Sequence, residues 1–394
     1  MRWASASSDN PVFETAVEEC CRHISKELGG EPDLAVVFVS MQHLGSYADV
    51  PARIYKRMRP ARLIGCSAGG VIGGGREIEQ KTGVSITAAL LPGVEIATFH
   101  IGNDGLPGPD ARPKAWHELT GVTPERSPSF ILLADPFSFD AENFLKGMDY
   151  AFSKSTKVGG LASGARKPGE NALFIGHEVY REGLIGAALT GDIRVDAVVA
   201  QGCRPIGEPL LITACDGNVL LELNDEPPLK VLEDVYGTLT PRDQELVKSS
   251  LFLGVVMDAT MSDYARGDFL IRNIVGADAE KGILAVGTDL REGQTVQFHL
   301  RDAQTSAEDL DLMLANYASE RTNGAAGSLL FSCLGRGVYL YGTPDHDTKA
   351  FQKSVGNIPV GGFFCNGEMG PVKNTTYLHG YTSCFGIFRP AGGS

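Results

Sequence analysis

The stretch Gly65-Cys66-Ser67-Ala68-Gly69 has the G-x-S-x-G form of a hydrolase elbow. That elbow needs a strand, a sharp turn and a helix that aims the serine outward. The residues that follow, Gly70-Val71-Ile72-Gly73-Gly74-Gly75, are poor helix formers. His100, His117 and His177 are available as bases, but spacing alone does not bring any of them to Ser67. The competing reading is a duplicated structural turn, because Gly160-Leu161-Ala162-Ser163-Gly164 repeats the pattern loosely. The glycines match neither G-x-G-x-x-G nor a P-loop, since Lys81-Thr82 follows Gln80 rather than glycine.

A second group lies toward the C-terminus. It comprises Cys333-Leu334-Gly335-Arg336, then Cys365-Asn366-Gly367-Glu368, then His379. Polar residues beside glycines at strand ends are where α/β sheets form pockets. Arg336 could clamp a carboxylate bidentately and Glu368 could receive an amine, which together would suit an amino-acid-like zwitterion. The alternative is an internal Arg336–Glu368 pair. Cys333 and Cys365 are reactive thiols if Arg336 lowers a pKa, and packed thiols otherwise. Arg272 would add a second anion contact, and Asn273 and Asn366 hydrogen bonds. Asp345-His346-Asp347 reads as a solvated turn rather than a metal corner, and no metal or cofactor is expected.

The elements that must position these residues recur. Residues 11–28 carry Phe13, Val17, Cys20, Ile24 and Leu28 at helical spacing. A buried strand over 33–40, a helix over 51–58, a strand from Arg62 into the glycine turn, and strands 84–91 and 94–101 paired about Pro92-Gly93 follow. The grammar returns with strand 130–134, helix 141–152, strand 158–164, and a hairpin of 173–180 with 183–189. It returns again with strand 328–333, helix 348–355, strand 360–367 and strand 376–388. Between the second and third passes the pattern changes to short strands near 197–202, 210–215, 219–223, 251–257, 269–275 and 294–300. Ser306-x-x-Asp309 would cap a helix there. The period points to duplicated units rather than a solenoid.

The chain has 394 residues and a formal net charge of −13, against nucleic-acid or anionic-membrane binding. No stretch reaches the ~20 apolar residues of a membrane helix, and no apolar leader opens the chain. A cytoplasmic protein with free, mostly buried thiols is expected, because none of its eight cysteines forms C-x-x-C.

Gly65-Cys66-Ser67-Ala68-Gly69-Gly70 and Val198-Val-Ala-Gln-Gly-Cys203-Arg-Pro-Ile-Gly207 resemble the N-terminal module of the FIST (F-box and intracellular signal transduction) family. Asp268-Phe-Leu-Ile-Arg272-Asn273, Leu330-Phe-Ser-Cys333-Leu-Gly-Arg336-Gly337 and Gly361-Gly-Phe-Phe-Cys-Asn-Gly-Glu368-Met-Gly-Pro371 resemble its C-terminal module. The resemblance covers about residues 30–390 and leaves no F-box ahead of it. It implies sensing of a small ligand, an amino acid among the candidates, within signal transduction, through a protein partner.

The expectation is an α/β fold of two FIST modules, 1–222 and 223–394. Duplicated strand–helix–strand–strand units would form mixed sheets covered by helices, arranged as a layered αββα sandwich. A small polar metabolite would bind between the halves. The candidate ligand-binding set is Cys66, Ser67, Arg272, Asn273, Cys333, Arg336, Cys365, Asn366, Glu368 and His379, with no catalytic residue assigned. A cysteine- or serine-dependent hydrolase and a protein-interaction scaffold are the alternatives.

Overall fold

The computed structural model describes residues 1–108, 110–258, 260, 263–264, 267–320 and 324–392. Its fold is α/β, and it grows from one repeated unit. Leu34–Ser40, Ser129–Ala134 and Gly327–Cys333 are short apolar runs, the first two buried along their whole length. That is the signature of strands covered on both faces. Each lies parallel to the next strand of its pass and antiparallel to the one after. Leu34–Ser40 thus stands between Arg62–Ala68 and Val84–Leu90. Ser129–Ala134 stands between Lys157–Leu161 and Leu184–Gly191. Gly327–Cys333 stands between Val360–Cys365 and Ser383–Arg389.

The passes exchange their remaining strands in a ring. The first pass sends the hairpin of Gly70–Gly73 and Arg76–Glu79 onto Val360–Cys365 of the third. The second sends Leu173–Ile175 and Glu178–Tyr180 onto Arg62–Ala68 of the first. The third sends Glu368–Val372 and Thr375–His379 onto Lys157–Leu161 of the second. At the opposite edges, Val94–Ile101 pairs with Leu184–Gly191 and Arg194–Ala200 flanks Ser383–Arg389. Arg2–Ser8 pairs with Val84–Leu90, in the place the ring assigns to a strand following the third pass. Among the described residues the result is three six-stranded sheets and one closed barrel.

Helices cover the sheets as the sequence pattern requires. Phe13–Leu28 buries Phe13, Val17, Cys20, Ile24 and Leu28 against the first sheet. Ala141–Ala151 buries Phe144, Leu145 and Met148 against the second, and is capped by the Asp140 side chain.

Compactness divides the chain into residues 1–199 with 311–394, and residues 200–310. The second unit holds the barrel, in the order Arg204–Asp216, Val219–Leu223, Ile283–Val286, Phe269–Asp278, Leu251–Val256 and Thr295–Leu300. Leu220, Leu253, Leu284, Val296 and Phe298 belong to its buried core. Residue 222, the sequence-based division point, falls inside the strand Val219–Leu223.

Some pairings differ from the sequence reading. Val84–Leu90 and Val94–Ile101 are both strands, but Pro92-Gly93 carries the chain from one sheet to the next instead of closing a hairpin. The hairpin of the second pass lies within 173–180, and Leu184–Gly191 pairs elsewhere. The region 376–388 divides into Thr375–His379 and Ser383–Arg389, which belong to different sheets. The helix Ala303–Glu320 begins ahead of Ser306. Asp302 accepts from Thr305 N at 2.7 Å, while Ser306 Oγ donates to the Gly202 carbonyl at 2.8 Å. The helices Pro228–Thr238 and Pro241–Ser250 have weak apolar faces, and the sequence reading missed them.

One position repeats in all three passes. Gly65, Gly159 and Gly362 stand in register opposite Val37, Leu132 and Leu330 on the parallel neighbour. A Cβ on any of the three would fall deep inside contact distance of that neighbour's carbonyl oxygen. Only glycine lets the two backbones approach this closely. Replacing Gly159 or Gly362 by alanine should therefore cost about 2–4 kcal/mol in urea unfolding. An alanine at the exposed Gly108, with open space around its Cβ, should cost far less. Equal costs at all three sites would show that the close approach is not what the glycines serve.

Candidate functional site

The ends of the second strands of the three passes meet at one hub. Gly69 N donates to Ser163 Oγ at 2.8 Å, and Ser163 N donates to the Ser67 carbonyl at 3.2 Å. Leu161 N donates to the Gly367 carbonyl at 2.8 Å, and Asn366 N donates to the Leu161 carbonyl at 3.1 Å. Ser163 Oγ also donates to the Phe364 carbonyl. The gaps are filled: a Cβ at Gly164 would collide with Ser67, and one at Gly160 with the Cys365 sulfur. The hub is a close-packed joint of backbone and small side chains.

Most of the sequence-predicted residues surround this joint. Cys333 and Cys365 are register partners, as are Glu368 and His379. Cys66, Cys365 and Glu368 are buried. Burial, and then the Glu368 charge, push the Cys365 thiol well above its ordinary range; burial alone does the same to Cys66. Such thiols are not nucleophiles at neutral pH. Glu368 accepts from Thr382 N at 3.1 Å, and the His379 ring bonds the Gly370 carbonyl at 2.9 Å. Asn366 is exposed. Arg272 and Asn273 belong to the barrel unit and adjoin on the strand Phe269–Asp278. Successive strand residues point to opposite faces, so the two cannot line one wall together.

Ser67 occupies a relay without a base. Its Oγ donates to Asn171 Oδ1 at 2.9 Å, and Asn171 Nδ2 donates to Asp135 Oδ1 at 2.9 Å. Ser138 Oγ donates to Asp135 Oδ2 at 2.6 Å. Ser67, Asn171 and Asp135 are all fully buried. The order serine–X–aspartate is that of a hydrolase triad, but an amide stands where the imidazole would be. An amide takes no proton at neutral pH, so the hydroxyl is not activated. No helix follows the turn either, because Gly70–Gly73 is a strand. Asp135 follows directly on a predicted strand and was legible as a strand-end polar residue. Nothing in the spacing pointed to Asn171.

Arg336 faces inward. It is wholly buried and binds Asp347 through two bonds, Nε to Oδ2 at 2.8 Å and Nη2 to Oδ1 at 3.0 Å. Nη2 also donates to Tyr341 Oη at 2.6 Å. Ser332 Oγ, at 3.1 Å, and Ser383 Oγ both donate to Asp347 Oδ2. The guanidinium fork that would take a ligand carboxylate is filled by one of the chain's own. The carboxylate partner of Arg336 is Asp347 rather than the expected Glu368. Asp345-His346-Asp347 is correspondingly no solvated turn: Asp347 is buried, and Asp345 Oδ1 accepts from Glu77 N at 2.8 Å. Burial alone would raise the Asp347 carboxyl, but the Arg336 charge and the surrounding donors hold it well below its usual range. The nearby Glu77 is pushed up to about 8, first by burial and then by the Asp347 charge.

Two open clefts lie in the first unit, away from this buried chemistry. One, of about 670 Å³, is bounded by Tyr55, Arg62, Phe99, Glu118, Thr120 and His177. Tyr55 and His177 stack with centroids 3.9 Å apart. Arg62 is anchored by Nε to the Ile96 carbonyl at 3.3 Å and by Nη1 to the Ala61 carbonyl at 2.9 Å. Glu118 makes a loose surface pair with Lys114 at 3.6 Å. Ile96, Ala97 and Leu119 supply apolar lining. The other cleft, of about 640 Å³, flanks Trp116. None of the sequence-predicted residues lines either cleft, since charged residues scattered over distant strands and helix ends leave no local pattern. Among the described residues no cluster of His, Cys, Asp and Glu is arranged to hold a metal. No described helix is long and apolar enough to cross a membrane.

Comparison with known proteins gives the chain relatives. Residues 33–226 match the FIST N domain and residues 228–371 the FIST C domain. An uncharacterized protein of Mycobacterium tuberculosis is 37% identical over 391 residues, covering 98% of this chain and 100% of the relative. An uncharacterized protein of Mycobacterium bovis is 34% identical over 391 residues, covering 98% and 99%. An F-box/LRR-repeat protein of Arabidopsis thaliana is 26% identical over 132 residues, 29% of this chain and 25% of its own length.

Two measurements check the site's chemistry. Native protein should leave Cys66, Cys365 and Cys384 unmodified by iodoacetamide at neutral pH, while the denatured chain is alkylated fully. Rapid stoichiometric labelling of Cys365 in the native state would revive the thiol-enzyme reading. For Glu77, the folded state holds a proton more tightly than the unfolded chain. Its contribution is fully present below about 4.5 and is withdrawn as pH rises to about 8. Glu77→Gln should therefore flatten the fall in melting temperature across that window and melt above the wild type at pH 8. Parallel curves would refute the assignment.

Proposed function

The chain belongs to the FIST family, and from that premise we propose that it is a sensing module whose first unit binds a small zwitterionic metabolite of amino-acid type. The family is associated with signal-transduction sensing. The observation that carries the ligand is the 670 Å³ cleft with an anchored guanidinium, Arg62, and a carboxylate, Glu118, in its lining. Arg62 would take the ligand's carboxylate and Glu118 its ammonium. The stacked Tyr55–His177 pair and the Ile96–Phe99 strand would take the apolar part. The volume lies within the ~300–1,000 Å³ usual for such sites. Binding here would place the ligand against the hairpin turn Gly176-His177 of the second pass and Arg62 of the first, so that it bridges two passes.

The hub and the Arg336–Asp347 pair are then the frame of the sensor. A second, compatible reading is a surface for a protein partner. Leu334, Val338 and Tyr339 are 42%, 40% and 78% exposed on one short segment after Gly327–Cys333. Apolar exposure concentrated on one segment favours an interaction role.

The test is a thermal-shift screen of the whole protein against amino acids, nucleotides and organic acids, with hits measured by calorimetry. A ligand at 100 times its dissociation constant should add ~2.7 kcal/mol of stability. Arg62→Ala and Glu118→Ala should each weaken a zwitterionic hit by about tenfold or more without lowering the melting temperature of the free protein. A hit bound equally well by both variants would remove this cleft as the site. A flat screen of protein shown by mass spectrometry to carry no small molecule would remove the sensing reading.

A further inference from the structure

The second cleft has a chemistry of its own. It lies between the segment 103–108, the helix Pro113–Thr120 and the helix Ala141–Ala151, and encloses about 640 Å³. Trp116 backs its inner wall; it is only 5% exposed and packs on the helix where Gly147 leaves room for the ring, since a Cβ there would overlap the indole. Tyr150, 64% exposed, supplies a second aromatic surface, and Leu106 an apolar floor. The carboxylates of Asp104 and Asp140 line the cleft against one ammonium, Lys146, which is directed to Asn143 Oδ1 at 3.4 Å. Asp140 is held by its capping bond from Asn143 N at 3.1 Å, so its charge is fixed in place.

We propose that this cleft is a second ligand site and that it takes an organic ammonium ion carrying an apolar or aromatic group. The argument is one of complementarity. The open ring of Tyr150 attracts a cation through its quadrupole and its face offers nothing to an anion. The excess of carboxylate over ammonium favours the same sign, and the indole and Leu106 cover the apolar part. The first cleft, with Arg62 and Glu118 both in its lining, would favour a ligand carrying both charges over a simple amine. The two sites therefore select different ligands, and this proposal does not depend on the first cleft being occupied.

The experiment uses a matched pair of probes on the full-length protein: phenethylamine, and phenylacetate of nearly the same shape and opposite charge. Calorimetry should give saturable binding for the amine and none for the acid. Tyr150→Ala and Asp104→Asn, both at exposed positions, should each weaken amine binding by about tenfold, and Lys146→Gln should strengthen it. Equal affinity for the two probes, absence of saturable heat with millimolar amine, or wild-type affinity in both the Tyr150 and Asp104 variants would overturn the proposal.

Discussion

The close approach of Gly65, Gly159 and Gly362 to the carbonyls of their parallel neighbours sets the geometry on which the rest of the first unit is built. Each glycine lies on the second strand of its pass, a few residues before the chain turns at the hub. Bringing those strands in tightly brings the three turns to a common point. Once there, small residues are the ones that fit, and Ser67, Ser163, Gly164 and Gly367 supply them. The hydrogen bonds across the hub run mostly between backbone groups, so they depend on position more than on side-chain identity. The ring of exchanged hairpins then locks each pass to its neighbours. No pass can leave without uncovering strand edges on two sheets.

Buried ionic chemistry serves the same end. The Arg336–Asp347 pair ties the turn after Gly327–Cys333 to the helix His346–Val355 and, through Ser383, to the last strand of the pass. Removing either partner would strand a charge out of water, a cost of about 3–5 kcal/mol. The pair is therefore best understood as a fastener that cannot be half undone. Ser67, Asn171 and Asp135 are a counterpart joined by hydrogen bonds alone, between the first and second passes. Both clusters contain residue types used in catalysis, and both have spent their hydrogen-bonding capacity on the fold.

This explains what the sequence made legible. Strand and helix positions in all three passes follow from runs such as Leu34–Ser40 and from the stripe Phe13, Val17, Cys20, Ile24 and Leu28, because local periodicity is decided by burial of nearby residues. The FIST resemblance rested in part on the turn motifs that follow Arg62–Ala68 and Val360–Cys365, which lie at the hub, and in part on strand segments outside it. Partnering was not legible. Val84–Leu90 and Val94–Ile101 look like a hairpin because Pro92-Gly93 is a good turn, yet the ring exchange sends them to different sheets. The same blindness affected Arg336. Its sequence context showed a cation beside glycines, while the carboxylate that neutralises it lies in a segment that reads as a loop. The clefts were invisible for a further reason. Arg62, Glu118 and His177 are unremarkable singly and acquire meaning only once the strand exchange has brought their elements together.

The chain contains two tryptophans, and the fold gives them separate surroundings. Trp3 is stacked on Phe388 with centroids 4.3 Å apart, where the first strand of the chain meets the last. Trp116 forms the inner wall of a cleft, on a short helix whose other end borders the neighbouring cleft. Intrinsic emission from this protein is thus the sum of two optical reporters. One is sensitive to fraying of the joined chain ends, the other to whatever enters beside its helix. Both indoles are 5% exposed, so a collisional quencher reaches neither until its surroundings open. The molecule can therefore be observed without an attached dye, and its unfolding and its occupancy read from the same spectrum.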